Sequence, residues 1–123
     1  MRDFVHVRDI VRANLLAMER SESNGEVINV GCGKPISIRS VAEILASALG
    51  KSDLTPVITR KYRAGDIRHC YADLTKARQL LGYEPQVTHE EGFRKLAAWL
   101  GNQKAEDKAD TMLQELSVYG LTA

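Results

Sequence analysis

The apolar residues of this chain change their period repeatedly, and a turn residue punctuates each change. Phe4, Val5 and Val7 form a short β-branched and aromatic run, the pattern of a buried strand. Asp9 then stands where an N-cap belongs, ahead of Ile10, Val11, Asn14, Leu15 and Met18 at helical spacing. Ser21 to Gly25 reads as a polar turn and Val27 to Val30 as a second strand. Strand, helix and strand in such quick succession predict a βαβ unit, with a parallel pair and a right-handed crossover.

The same grammar continues. Val41, Ile44, Leu45, Ala48 and Leu49 follow one helical face, with Gly50 at C′. Two serines compete to cap that helix: Ser40 forms a capping box with Glu43, whereas Ser37 gives the fuller helix. Val57 to Thr59 is a third short strand, opened by Pro56. Asp73 caps a short helix through Ala77, Leu80 and Leu81 that Gly82 stops. Thr88 and Glu91 make a capping box for another, with Phe93, Leu96, Ala97 and Leu100 on one face and Gly101 behind. After a polar stretch, Asn102 to Lys104, a fifth amphipathic helix over 105–118 carries Ala109, Met112, Leu113 and Leu116. The fold expected is α/β: a small, mainly parallel sheet with strands near 4–7, 27–30 and 57–59, and about five helices. Residues 1–101 form the main domain, and 102–123 a linker and helix.

Composition narrows the function classes. With 123 residues, 44% hydrophobic and 27% charged, the chain suits one soluble domain that needs neither disulfide nor metal to hold its core. Its 17 basic and 16 acidic residues nearly cancel, which argues against a nucleic-acid partner or a membrane surface. No run is long enough for a membrane span, and Asp3, Arg8, Asp9 and Arg12 interrupt any signal-peptide pattern. Two cysteines, Cys32 and Cys70, make no disulfide framework, so the expected compartment is the cytoplasm.

Most familiar catalytic patterns fail on inspection. Gly31-Cys32-Gly33 stands where a dinucleotide turn would lie, but the third glycine position holds Ile36, with Pro35 before it. His6, His69 and His89 are scattered, which argues against a metal centre. No Ser or Cys occupies a nucleophile elbow, and no tyrosine begins a Tyr-x-x-x-Lys pair. The informative stretch is a cationic loop, with Arg60, Lys61, Arg63, Arg68 and His69 around Gly65 and Asp66. A guanidinium grips phosphate through two parallel hydrogen bonds and a nearby carboxylate accepts from sugar hydroxyls, a combination suited to a phosphosugar. The plainer reading of the same residues is a solvated loop with a local Arg–Asp pair.

Five blocks in order carry a family resemblance. They are Arg2-Asp3-Phe4-Val5-His6-Val7-Arg8-Asp9-Ile10-Val11, Gly25-Glu26-Val27-Ile28-Asn29-Val30-Gly31, Tyr62-Arg63-Ala64-Gly65-Asp66, Asp73-Leu74-Thr75-Lys76-Ala77 and Leu81-Gly82-Tyr83-Glu84-Pro85. Over residues 2 to 100 the chain resembles the C-terminal, substrate-binding part of the NAD-dependent sugar-nucleotide epimerase/dehydratase family, the extended short-chain dehydrogenases/reductases. The resemblance implies that Arg2 and Arg63 contact a substrate diphosphate and that Asp66 reaches the nucleotide ribose. It also matches Asp9, read here as a helix cap, and Asn29, read as structural. In that family NAD sits on an N-terminal Rossmann domain beside a tyrosine–lysine pair, and both precede the first block matched here. The expectation is therefore a substrate-side half with no cofactor site or catalytic residue of its own. It would bind a nucleotide-sugar weakly or dock on a cofactor-bearing domain. The alternative is a non-catalytic oligomeric binding or adaptor module that keeps only the fold. In both cases the exposed apolar surface and the fifth helix point to a homodimer.

Overall fold

A computed structural model describes residues 1–104 and 106–121. Its regular elements there are helical: α1 (Val7–Glu19), α2 (Ile38–Ala48), α3 (Thr75–Leu81), α4 (His89–Leu100) and α5 (Ala109–Val118), with a 3-10 turn at Ser21–Ser23. The five helices match the number expected. The parallel sheet is a correction, because none of the segments 4–7, 27–30 and 57–59 forms a strand among the described residues.

The reason is hydrogen bonding. A β-branched run becomes a strand only when a neighbour accepts and donates along its whole length. Val7 is instead drawn into the first turn of α1. The segment 27–30 does alternate as a strand would, with Ile28 and Val30 against the core, but Val27 is 85% exposed and no ladder forms beside it. Val57 is equally exposed. What survives of a sheet is a pair of bridges at Arg2, antiparallel to Ile36 and parallel to Cys70. Arg2 and Ile36 exchange both backbone hydrogen bonds at 2.9 Å, and the Cys70 amide donates to the Met1 carbonyl at 3.0 Å.

Local chemistry sets the starts of α2 and α4 as expected, whereas α3 begins after Leu74 rather than on an Asp73 cap and α5 has no side-chain cap. Ser37, not Ser40, caps α2, its hydroxyl accepting from the Ser40 amide at 3.0 Å. Thr88 caps α4 by accepting from the Glu91 amide, while the Glu91 carboxylate turns outward to Lys95. Gly82 ends α3 in the left-handed conformation, at φ 63°. At α1 the expectation fails. His6 is the cap, its Nδ1 accepting from the Arg8 amide, and Asp9 lies within the first turn. Asp9 is 1% exposed and accepts from the amides of Gln86 (3.1 Å) and Val87 (3.0 Å), so it ties α1 to the segment that leads into α4.

The core lies between α1 and α3. Ala13, Leu74, Ala77, Leu81 and Tyr83 are buried together, with Leu16, Ala17, Ile28, Val30 and Ala72 packed against them. Alanines at 13 and 77 let the two helix backbones approach closely. A second layer sets α2 against α4, where Phe93 and Ala97 are buried and Phe4 meets Phe93 edge to face at 5.6 Å. The helically spaced Val11, Leu15 and Met18 point outward with Val7, and Met18 is 83% exposed. α1 is apolar on two opposite faces, and the described residues cover only one of them.

Candidate functional site

The cationic loop leaves the fold as an exposed excursion and returns at Cys70 beside Arg2. At its tip the Asp66 amide donates to the Arg63 carbonyl at 3.1 Å, closing a turn in which Gly65 takes φ 83°. Only glycine adopts that conformation without strain. The turn brings the side chains of Arg63 and Asp66 together. Arg63 Nε donates to Asp66 Oδ2 at 3.1 Å and Nη2 to Oδ1 at 3.2 Å, a two-pronged ion pair open to solvent. An exposed pair of this kind contributes about 0–1 kcal/mol, so a phosphate competing for the guanidinium displaces the carboxylate at small cost.

Arg2, the third residue singled out from sequence, has its backbone fixed on both sides by the bridges already described. Its guanidinium donates to the Met1 carbonyl at 3.4 Å, and among the described residues it makes no hydrogen bond to Arg63 or Asp66. The Met1 ammonium contacts the Arg68 carbonyl (3.0 Å) and His69 Nδ1 (3.2 Å), which fastens the return of the loop to the same edge. So the structure unites two of the three residues and places the third at the loop base.

Beneath the loop lies a polar junction that sequence reasoning passed over. Asp3 Oδ1 accepts from the Cys32 amide at 2.7 Å and Oδ2 from the Ala72 amide at 3.2 Å. Burial works against the charged carboxylate, but hydrogen bonds from the Cys32 thiol and from the amides of Cys32, Ala72 and Gly33 outweigh it. Its pKa is therefore lowered. Gly31 is required there by close approach, since an added Cβ would collide with the Asp3 carboxylate and stand 2.8 Å from Ala72 Cβ. The Tyr83 hydroxyl donates to the Gly31 carbonyl at 2.9 Å from a fully buried position. This Gly31–Gly33 turn does not fit a dinucleotide pyrophosphate. The Cys32 amide is spent on Asp3, and α2 begins only at Ile38, too far on to present its N-terminus to the turn.

Cys32 Sγ also lies 3.2 Å from His89 Nε2, beside a groove of about 210 Å³ lined by Lys34, Gln86 and Thr88. Burial, then the hydrogen bond to Asp3, pushes the thiol pKa up, which favours the protonated thiol. The spacing of Cys32 and His89 in the chain carries no signal of their meeting. No group of three or more metal-type side chains gathers among the described residues, and none of their helices is long and apolar enough to cross a membrane.

Comparison with known proteins identifies the family. The family model for GDP-mannose 4,6 dehydratase matches residues 1–96. The chain is 34% identical to UDP-glucuronate 4-epimerase of Thermodesulfobacterium geofontis, over 80% of this chain and 29% of that protein. It is 35% identical to UDP-glucose 4-epimerase of Mycolicibacterium smegmatis, over 83% and 32%. Among solved structures it resembles UDP-glucose 4-epimerase of Thermotoga maritima with UDP-glucose, at TM-score 0.70 and 36% identity, covering 80% of this chain and 31% of that one. It also resembles UDP-glucuronic acid 4-epimerase of Bacillus cereus in complex with NAD, at TM-score 0.68 and 28% identity, covering 88% and 32%. This chain spans about a third of the length of these relatives. With the family model matching most of its residues, the chain belongs to the GDP-mannose 4,6-dehydratase family of sugar-nucleotide epimerases and dehydratases.

Proposed function

We propose that this chain is the nucleotide-sugar-binding portion of an NAD-dependent epimerase or dehydratase, and that it does not catalyse by itself. The observation that carries the reading is the loop tip, where Arg63 and Asp66 stand side by side and exposed. In this reading Arg63 exchanges its carboxylate partner for the substrate diphosphate, and the freed Asp66 accepts from the ribose hydroxyls. Arg2, at the loop base, adds positive charge to the same edge. NAD supplies the hydride chemistry of the intact family, and a cofactor-bearing domain would hold it, because the Gly31–Gly33 turn here does not suit a pyrophosphate. Residues 1–101 would form the sugar-nucleotide-binding domain and 102–123 a polar linker and amphipathic C-terminal helix. The free thiols of Cys32 and Cys70 suit a reducing cytoplasm.

Titration with UDP-glucose, followed by chemical shifts of the loop amides, tests the reading. One guanidinium–phosphate contact and a partial pocket predict a dissociation constant of roughly millimolar. Arg63→Ala should abolish the response. Equal responses in both proteins, or none in either, would overturn the assignment.

A second reading, an oligomeric binding or adaptor module, draws on the outward stripe of α1. Val7, Val11, Leu15 and Met18 present a continuous apolar face that a second copy could cover as a twofold pair.

A further inference from the structure

The family match ends at residue 96, so α5 lies beyond it. Even so, the end of the chain returns to the loop. The Leu121 carbonyl accepts from the Ala64 amide at 2.8 Å. Leu116 and Leu121 line a groove of about 330 Å³ together with Arg63, Ala64, Gly65 and Asp66. The lining thus combines a cation–carboxylate pair with aliphatic side chains. A nucleoside diphosphate is divided in the same way, between an anionic diphosphate with a hydroxylated ribose and a planar base with two apolar faces. Ligand sites of this kind pair a few placed polar groups with an apolar lining.

We propose that the C-terminal segment forms the base-side wall of the nucleotide groove, with Leu116 and Leu121 packing against the nucleobase while Arg63 and Asp66 hold the diphosphate and ribose. This deepens the reading given above and rests on it. The tie between Leu121 and Ala64 sets the spacing of the two walls, because it joins the tail to the residue that follows Arg63. Nucleotide selectivity in this chain then depends partly on residues beyond the family match.

The test titrates UDP and inorganic pyrophosphate, separately, into the full chain and three variants. Leu116→Ser combined with Leu121→Ser should weaken UDP about five-fold, by removing the aliphatic contacts of half-buried Leu116 and exposed Leu121, and leave pyrophosphate unchanged. Leu116→Met combined with Leu121→Met preserves apolar volume and should keep UDP affinity, which separates lost contact from a displaced tail. Arg63→Ala should lose both ligands. Unchanged UDP affinity in the serine pair overturns the wall while leaving the phosphate role standing. Tighter UDP binding in that pair overturns it in favour of a tail that competes with ligand. Equal weakening of UDP and pyrophosphate overturns it in favour of a tail that merely props the loop. UDP binding that survives Arg63→Ala removes the phosphate assignment itself, and no binding by the unaltered chain removes both.

Discussion

The hydroxyl of Tyr83 donates to the carbonyl of Gly31 at 2.9 Å, with the tyrosine wholly enclosed between α1 and α3. That bond joins the segment just after α3 to the turn whose Cys32 amide donates to Asp3, and so fixes the floor on which the loop stands. Burial, reinforced by the nearby Asp9 charge, raises the Tyr83 pKa to about 12.

The raised value gives a stability prediction with a definite sign. The neutral phenol is favoured in the folded chain, so its contribution is complete below the unfolded tyrosine pKa near 10. It is lost as pH rises from there toward 12, by an amount on the order of 2–3 kcal/mol. Urea midpoints measured at pH 8, 10 and 11.5 should fall steeply for the unaltered chain. Tyr83→Phe should start lower at pH 8, for want of the bond to Gly31, and fall less. Parallel slopes would refute the burial argument.

Asp3 predicts the opposite end of the pH scale. Its folded pKa is lowered, so its stabilisation is present above the unfolded value near 4 and disappears as pH falls through the folded one. Asp3→Asn should cost about 1–3 kcal/mol at pH 7, because two amides lose a charged acceptor. The difference between the two proteins should narrow in thermal melts as pH falls below the unfolded value and through the folded one. A gap that persists there would mean that packing, rather than charge, is what Asp3 supplies.

The apolar outer face of α1 predicts self-association. Light scattering on a sizing column should give twice the monomer mass for the unaltered chain. Leu15→Glu with Met18→Glu should return it to a monomer without loss of helicity, since both positions are exposed and outside the buried core cluster. A monomer in the unaltered chain would remove the twofold pair.

Features governed by near neighbours were readable from the sequence. Thr88 and Gly82 act within one helical turn of themselves and do what their residue types dictate, while residue type alone leaves the cap of α2 open between Ser37 and Ser40. Arg63 and Asp66 meet because a single glycine turn separates them, so their pairing was also legible. Features that depend on distant partners were not. The runs 4–7, 27–30 and 57–59 carry strand composition, but a strand requires an adjacent backbone, and no local pattern states whether one is present. Asp9 has the residue type and position of a cap, and only the amides of Gln86 and Val87 reveal its role as a buried tie. The two apolar faces of α1 overlap in the chain, so periodicity chose the outer one. Nothing around Ala64 announces that Leu121 returns to it.

The most direct measurement is the side-chain resonance of Arg63 itself. Its Nε–H is committed to Asp66 in the free chain, at 3.1 Å, and the account requires it to change partner when a nucleotide diphosphate arrives. A proton–nitrogen correlation spectrum, with the peak assigned by its disappearance in Arg63→Ala, should show a progressive shift on adding UDP and none on adding uridine. An Arg63 Nε–H resonance that stays in place while UDP moves peaks elsewhere would contradict the account.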